Sequence, residues 1–258
     1  MESNFDFLSK DFPVLANFGK LAEQYCFSDS NSCLIKLGML GETIVNLMFT
    51  YDGVKLPYDN TAVTRIDTLM REGLLPRDLC DILHALRKAR NKASHENYAS
   101  VDEGKTLLQM AYGLCEWFMQ TYGDWSYQNR PFVMPSELSA TQAENKEQEK
   151  KLEDELSKQA EQTAAAASKV SQEERKKQSA WAAGKRQKSE AETRYLIDEQ
   201  LRKVGWEADT ENLRYAKGTR PAKGRNMAIA EWPTNSQLGN KGYADYALFV
   251  GLKLVGVI

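Results

Sequence analysis

The chain has 258 residues, a net charge of −2, 42% hydrophobic and 27% charged residues. That is close to a globular average, with apolar mass for one large domain or two smaller ones. It excludes a chain-wide basic field of the kind many DNA-binding domains carry, so any nucleic-acid contact must come from a local patch. The start, Met-Glu-Ser-Asn-Phe-Asp-Phe, is acidic, no run approaches about 18 apolar residues, and Cys26, Cys33, Cys80 and Cys115 lack the close pairing of a zinc or redox motif. The expectation is a cytoplasmic soluble protein without a membrane span, its cysteines buried free thiols.

From about Asp11 to Tyr122 the pattern is that of a helical bundle. Phe12, Leu15, Phe18, Leu21 and Tyr25 form a first apolar stripe, and Ser28-Asp-Ser-Asn-Ser32 offers several N-caps. Cys33–Phe49 is apolar on most sides and is expected to be the central helix, with Glu42 half buried. Asp52-Gly53 and Pro57 mark a loop. Helices are then expected over Ala62–Glu72, Pro76–Lys92 and Val101–Thr121, with Gly73 as a C-cap and Pro76 in a first turn.

The helix before His95 ends Leu86-Arg-Lys-Ala-Arg-Asn-Lys-Ala-Ser-His. Arg90 and His95 form an Arg-x4-His pair that resembles the signature of HEPN-type helical domains. In HEPN ribonucleases such a pair acts on RNA across a dimer interface, His as acid or base and Arg on a phosphate. The structural alternative is hydrogen bonding within the bundle or helix capping, and fold resemblance alone does not carry function. His84 is assigned no role.

Pro131 and Pro135 mark a boundary. Thr141-Gln-Ala-Glu144 resembles a capping box, and from there to about Gln187 the chain is almost wholly Glu, Lys, Gln, Ala and Ser. Interleaved charges with Glu/Lys pairs at i,i+4 favour a long, mostly solvated helix joining two domains. Leu152, Leu156, Val170 and Trp181 are too sparse for a sustained heptad seam, so a short coiled coil and a disordered linker remain the alternatives.

In the last seventy residues Tyr195, Leu196, Leu201 and Val204 lie at helical spacing, Gly205 is a stop, and Met227, Ile229 and Trp232 form a β-prone run closed by Pro233. Tyr243–Val250 and Leu252–Ile258 follow, joined at Gly251. The expected arrangement is a helix followed by a β-meander with Asp245 buried in its middle strand. An Asp on the solvent face of a half-buried strand is the plain reading of Asp245; the functional one is a ligand for a hard cation such as Mg²⁺.

Glu192-Thr193-Arg194, Ile197-Asp198, Leu201 and Gly205-Trp206, followed by Ala228-Ile-Ala-Glu-Trp-Pro-Thr234 and Gly242-Tyr-Ala-Asp-Tyr246, resemble the start of the nuclease domain in R (restriction and motor) subunits of type I restriction–modification enzymes. That domain belongs to the PD-(D/E)xK class. By resemblance Asp245 is the metal-binding Asp and Glu192 the helix carboxylate near the metal, with Asp198 in reserve. Ala244 stands where the class has Pro, and the Glu-x-Lys of the next strand does not occur by Ile258, so a truncated domain within a longer enzyme is expected. Between helix and strands, Arg214, Lys217, Arg220, Lys223 and Arg225 come without an acid. In a nuclease they would neutralise backbone phosphates, with Tyr215 placed to stack on a base; otherwise they form a solvated Gly/Pro loop.

The expected fold class is α+β, mainly α: a helical bundle over 1–130, resembling HEPN and DUF4145 domains and the bundle at the N-terminus of R subunits, a charged helical linker over 131–188, and the first part of an α/β restriction-endonuclease-like domain over 189–258. The resemblance implies Mg²⁺-dependent hydrolysis of foreign double-stranded DNA after ATP-driven translocation, in complex with modification and specificity subunits. With no Gly-x4-Gly-Lys-[Ser/Thr] loop in the sequence, ATP would bind outside these residues. The alternatives are a metal-independent HEPN-like ribonuclease or toxin using Arg90 and His95, and a non-catalytic module that docks other subunits.

Overall fold

In the computed structural model, residues 3–136, 146–167, 169–186, 188–235 and 241–258 are described; the capping box read at Thr141–Glu144 lies outside them. The chain divides into two compact units, Met1–Gln187 and Lys188–Ile258. The fold is α+β and mainly α, as the sequence patterns imply.

In the first unit α2 (Ser30–Asp52) is the axis. It packs against α1 (Pro13–Ser28), α3 (Ala62–Arg71), α4 (Arg77–Glu96), α5 (Val101–Tyr122) and α6 (Lys146–Ala166). Asp29 opens it by accepting from the Ser32 amide at 3.1 Å, and Gly53 closes it at φ 60°. Leu34, Leu37, Leu40, Ile44 and Leu47 are buried. By length and composition alone α2 could cross a membrane, with a mean hydropathy of 1.4 over its most apolar window, yet 61% of that window is buried inside the protein. A helix apolar all round and enclosed by five others is a bundle core.

Gly38 sets the approach of α4: a Cβ there would lie 2.3 Å from Arg90 Cβ. Glu42, expected to be half buried, is exposed and ion-pairs with Arg90 across this seam. Pro76 is the N-cap of α4 rather than a first-turn residue, and α4 runs on to Glu96 because Asn97 supplies the left-handed residue, φ 50°, that ends it.

The charged stretch folds as two helices, α6 and α7 (Gln172–Gly184), and both pack on the bundle, unlike the long solvated helix its composition suggests. A Ser171–Glu174 capping box starts α7. Lys36 of α2 reaches Glu149 at 3.4 Å and also Glu153, and Tyr25 donates to Glu149 at 2.6 Å, seating α6. On α7, Arg175 is 5% exposed: its Nε donates to Asp52 at 3.1 Å, Nη1 donates to the Thr121 carbonyl, and the guanidinium lies 4.2 Å from the Tyr122 ring centre. Trp117 Nε1 donates to the Ser179 carbonyl at 3.1 Å, and Ser179 Oγ to the Leu74 carbonyl at 2.8 Å. Composition reports solvated propensity and is blind to such partners.

The second unit opens with α8 (Glu190–Lys203), capped by Ser189. β1 (Glu207–Ala208) pairs parallel with β2 (Asn226–Asn235), which pairs antiparallel with β3 (Lys241–Val250), and β3 antiparallel with β4 (Lys253–Val257). Pro233, expected to close its strand, lies inside β2 opposite Tyr243. Leu201 of α8 packs with Ala208, Ala228, Ala230 and Tyr246; a second cluster joins Met227, Ile229, Ala247 and Phe249. Val204, placed in the apolar stripe by spacing, lies past the end of α8 and is 74% exposed.

Candidate active site

Ladder pairs Ala230↔Tyr246 and Trp232↔Ala244 flank a step at which Glu231 of β2 stands across from Asp245 of β3. Glu231 has φ 52°, a left-handed conformation that L side chains rarely adopt, inside an otherwise extended strand. Arg194 of α8 reaches both carboxylates, Nη1 lying 3.6 Å from Glu231 and Nη2 3.7 Å from Asp245. It also holds Glu190, one turn earlier, at 3.0 Å. Arg214 comes from the loop to within 3.5 Å of the other Glu231 oxygen, while its Nε donates to the Thr210 carbonyl at 3.2 Å. Two carboxylates and two guanidiniums thus meet at the middle of the β2–β3 ladder, beside α8.

Asp245 is not buried, as its apolar neighbours suggest: its side chain is 74% exposed. Its neighbour Tyr246, on the opposite face of β3, is buried and exchanges backbone hydrogen bonds with Ile258 at 3.0 and 2.9 Å. Glu192 is buried in the first turn of α8, its amide donating to Ser189 Oγ at 3.1 Å, a position where the helix dipole favours a carboxylate. Asp198 is buried too and accepts from the Thr210 amide at 2.7 Å. Thr210 Oγ1 in turn lies 2.5 Å from the Tyr246 hydroxyl, and burial pushes that phenol up to about 12. Asp198 therefore fastens α8 to the segment after β1. Among the described residues, no trio of metal-capable donors includes Asp245, Glu192 or Asp198.

Of the five basic loop residues, Arg214 and Arg225 have carboxylate partners, the latter holding Glu207 through Nε at 2.9 Å to both oxygens. Arg220 lies 3.7 Å from the Tyr215 ring centre and donates to the Tyr215 and Thr219 carbonyls at 3.0 and 2.7 Å. Lys217 and Lys223 are exposed. In the helical unit, Arg90 is turned onto Glu42 of α2, and His95 is exposed in the last turn of α4.

Residues 207–258 match the family described as Type I restriction enzyme EcoKI endonuclease subunit second domain, and residues 20–163 match Domain of unknown function DUF4145. The chain is 31% identical, over 310 aligned positions, to the Type I restriction enzyme EcoKI endonuclease subunit of Escherichia coli (strain K12), a similarity covering 100% of this chain and 26% of that protein. The chain belongs to the DUF4145 family, and along its whole length it is similar to a type I restriction enzyme endonuclease subunit. It spans about a quarter of the length of its curated relative. No solved structure matches it significantly.

The donor chemistry at Asp245 suits a hard cation. Asp245 and Glu231 are hard oxygen donors across one ladder step, and the pair attracts a cation, here the Arg194 guanidinium. Mg²⁺ takes one or two protein carboxylates and keeps several waters, so these donors fit it in type. Glu231 and Arg194 carry no role in the sequence reading. The signal for Glu231 is the one that singles out Asp245, a carboxylate inside an apolar strand, between Ala230 and Trp232.

Proposed function

We propose that this chain contributes the metal-binding strand of a DNA-cleaving domain. The whole enzyme would be a cytoplasmic type I restriction nuclease that hydrolyses foreign double-stranded DNA with Mg²⁺ after ATP-driven translocation, assembled with modification and specificity subunits, its ATP bound outside these residues. The observation that carries this reading is Asp245: an exposed carboxylate on the central ladder, facing Glu231 and neutralised by Arg194, in a segment similar throughout to an R-subunit domain.

Asp245 and Glu231 would hold the ion directly, and Glu192 would act from the α8 side through the local field. Bound there, Mg²⁺ supplies charge stabilisation at the phosphate and a more acidic water. Arg194 orients the two carboxylates and keeps the empty pair from repelling. Lys217, Arg220 and Lys223, on an exposed loop, contact backbone phosphates without reading bases, and Arg214 and Arg225 hold that loop to the strands through Glu231 and Glu207.

The test is Asp245→Ala in a full-length R subunit assembled with its partners. DNA cleavage is expected to fall by at least about 10²-fold with ATP hydrolysis unchanged. Cleavage at the wild-type rate would remove Asp245 from the site. The ribonuclease alternative gains nothing from the geometry, because the Arg90 guanidinium is engaged by Glu42.

A further inference from the structure

A second cluster of ligand-type side chains lies in the helical unit, apart from the nuclease site. Cys80 and His84 are four residues apart on α4, so both point from one face of the helix. Asp67 comes to the same place from α3, which is held on α4 by the buried Ile66 and Leu69. His84 Nε2 lies 3.1 Å from Asp67 Oδ1, and the donor atoms of all three residues lie within 4.8 Å of one another. The cluster is open on one side only: the Cys80 residue is 3% exposed, while the side chains of His84 and Asp67 are 14% and 43% exposed.

We propose that Asp67, Cys80 and His84 form a binding site for a divalent transition metal of the Zn²⁺ class. A thiolate, an imidazole and a carboxylate make a mixed donor set that suits Zn²⁺ and the later first-row ions and is wrong for Mg²⁺ or Ca²⁺. Tetrahedral Zn²⁺ with ligands at about 2.0–2.3 Å needs donors roughly 3.3–3.8 Å apart, so small side-chain rotations close the trio around an ion. Binding releases the Cys80 thiol proton to solvent, while His84 coordinates as the neutral ring and Asp67 as the carboxylate. Three protein ligands leave a fourth position, on the exposed Asp67 side, for water. The consequence for the fold is a clamp between α3 and α4, made by residues that the nuclease reading does not use.

The untagged, reduced 258-residue chain is the sample. After incubation with Zn²⁺ and dialysis it is expected to retain one zinc per chain and to unfold at a higher temperature than the EDTA-treated protein. Co²⁺ in place of Zn²⁺ should give a thiolate-to-cobalt charge-transfer band in the near ultraviolet. Cys80→Ser should abolish that band. Because Cys80 is buried, Asp67→Asn at the exposed edge is the independent arm: it should keep the fold by circular dichroism and weaken zinc binding by roughly tenfold or more. Less than stoichiometric metal in the wild type, or a cobalt band that survives Cys80→Ser and so comes from Cys26, Cys33 or Cys115, overturns the site. Unchanged affinity in Asp67→Asn overturns it as well.

Discussion

Arg175 and Asp52, 123 positions apart, meet in the interior of the helical unit, Nε to Oδ1 at 3.1 Å, their side chains 6% and 0% exposed. Burial pushes the Asp52 carboxyl up, against the pull of Tyr122 and of Arg175 itself. Arg175→Ala leaves a carboxylate in the core with its charge uncompensated. Chemical denaturation should show a loss of about 3–5 kcal/mol, accompanied by a shift in Trp117 emission as Ser179 of α7 lifts from the indole. A helix merely solvated in this region would lose under about 1 kcal/mol, and that result would refute the docking of α7.

Gly38 is expected to resist any side chain. The atom that a Cβ would strike is Arg90 Cβ, at 2.3 Å, close to the α4 backbone and unable to swing away. Gly38→Ala should therefore separate α2 from α4 and cost about 1–3 kcal/mol in thermal unfolding, despite the better helix propensity of alanine. A stabilised variant would mean that the two helices are not held at this distance.

Glu116 is buried, accepting from the Arg130 amide at 2.8 Å, and burial raises its carboxyl above the ordinary 4.5 despite that bond. A raised acid favours the folded state fully below its unfolded value and loses that contribution as pH rises through the folded one. Glu116→Gln does not titrate. Relative to wild type it should gain stability steadily as pH rises above the ordinary carboxyl value of 4.5, read as the difference in melting temperature. A pH-independent difference would mean that burial does not raise this carboxyl.

At Glu231 the backbone φ of 52° and the carboxylate can be separated by two variants. Glu231→Ala and Glu231→Gly both lose the ion pairs to Arg194 and Arg214, but only alanine keeps the strain. The glycine form should be more stable by about 1 kcal/mol. Equal stabilities would mean that the strand relaxes into a regular ladder once the carboxylate is gone.

Much of the helical unit is legible in the order of residues: α2 declares itself by apolar side chains on every side, and Gly53 marks its end. The docking of α6 and α7 is not, because it rests on Lys36–Glu153, Arg175–Asp52 and Trp117–Ser179, pairings of groups more than 60 positions apart whose composition alone suits open solvent. At the candidate site, Asp245 could be picked out by its apolar neighbours, whereas its place on the exposed face of β3 could not. Glu231 carries the same signal between Ala230 and Trp232, but its left-handed backbone is announced by no residue type. Cys80 and His84 carry a visible helical spacing, but their third partner comes from another helix.

The return of α7 to Asp52 and Trp117 also orders events in time. A chain leaving the ribosome has made α1 to α5 well before residue 175 exists, and in that interval the pocket around Asp52 and the indole of Trp117 lack their partners. Contacts of such long sequence separation form late and slow the closing steps of folding. Completion of this unit therefore waits on the last part of its own charged segment, by which time the β-rich unit is close behind.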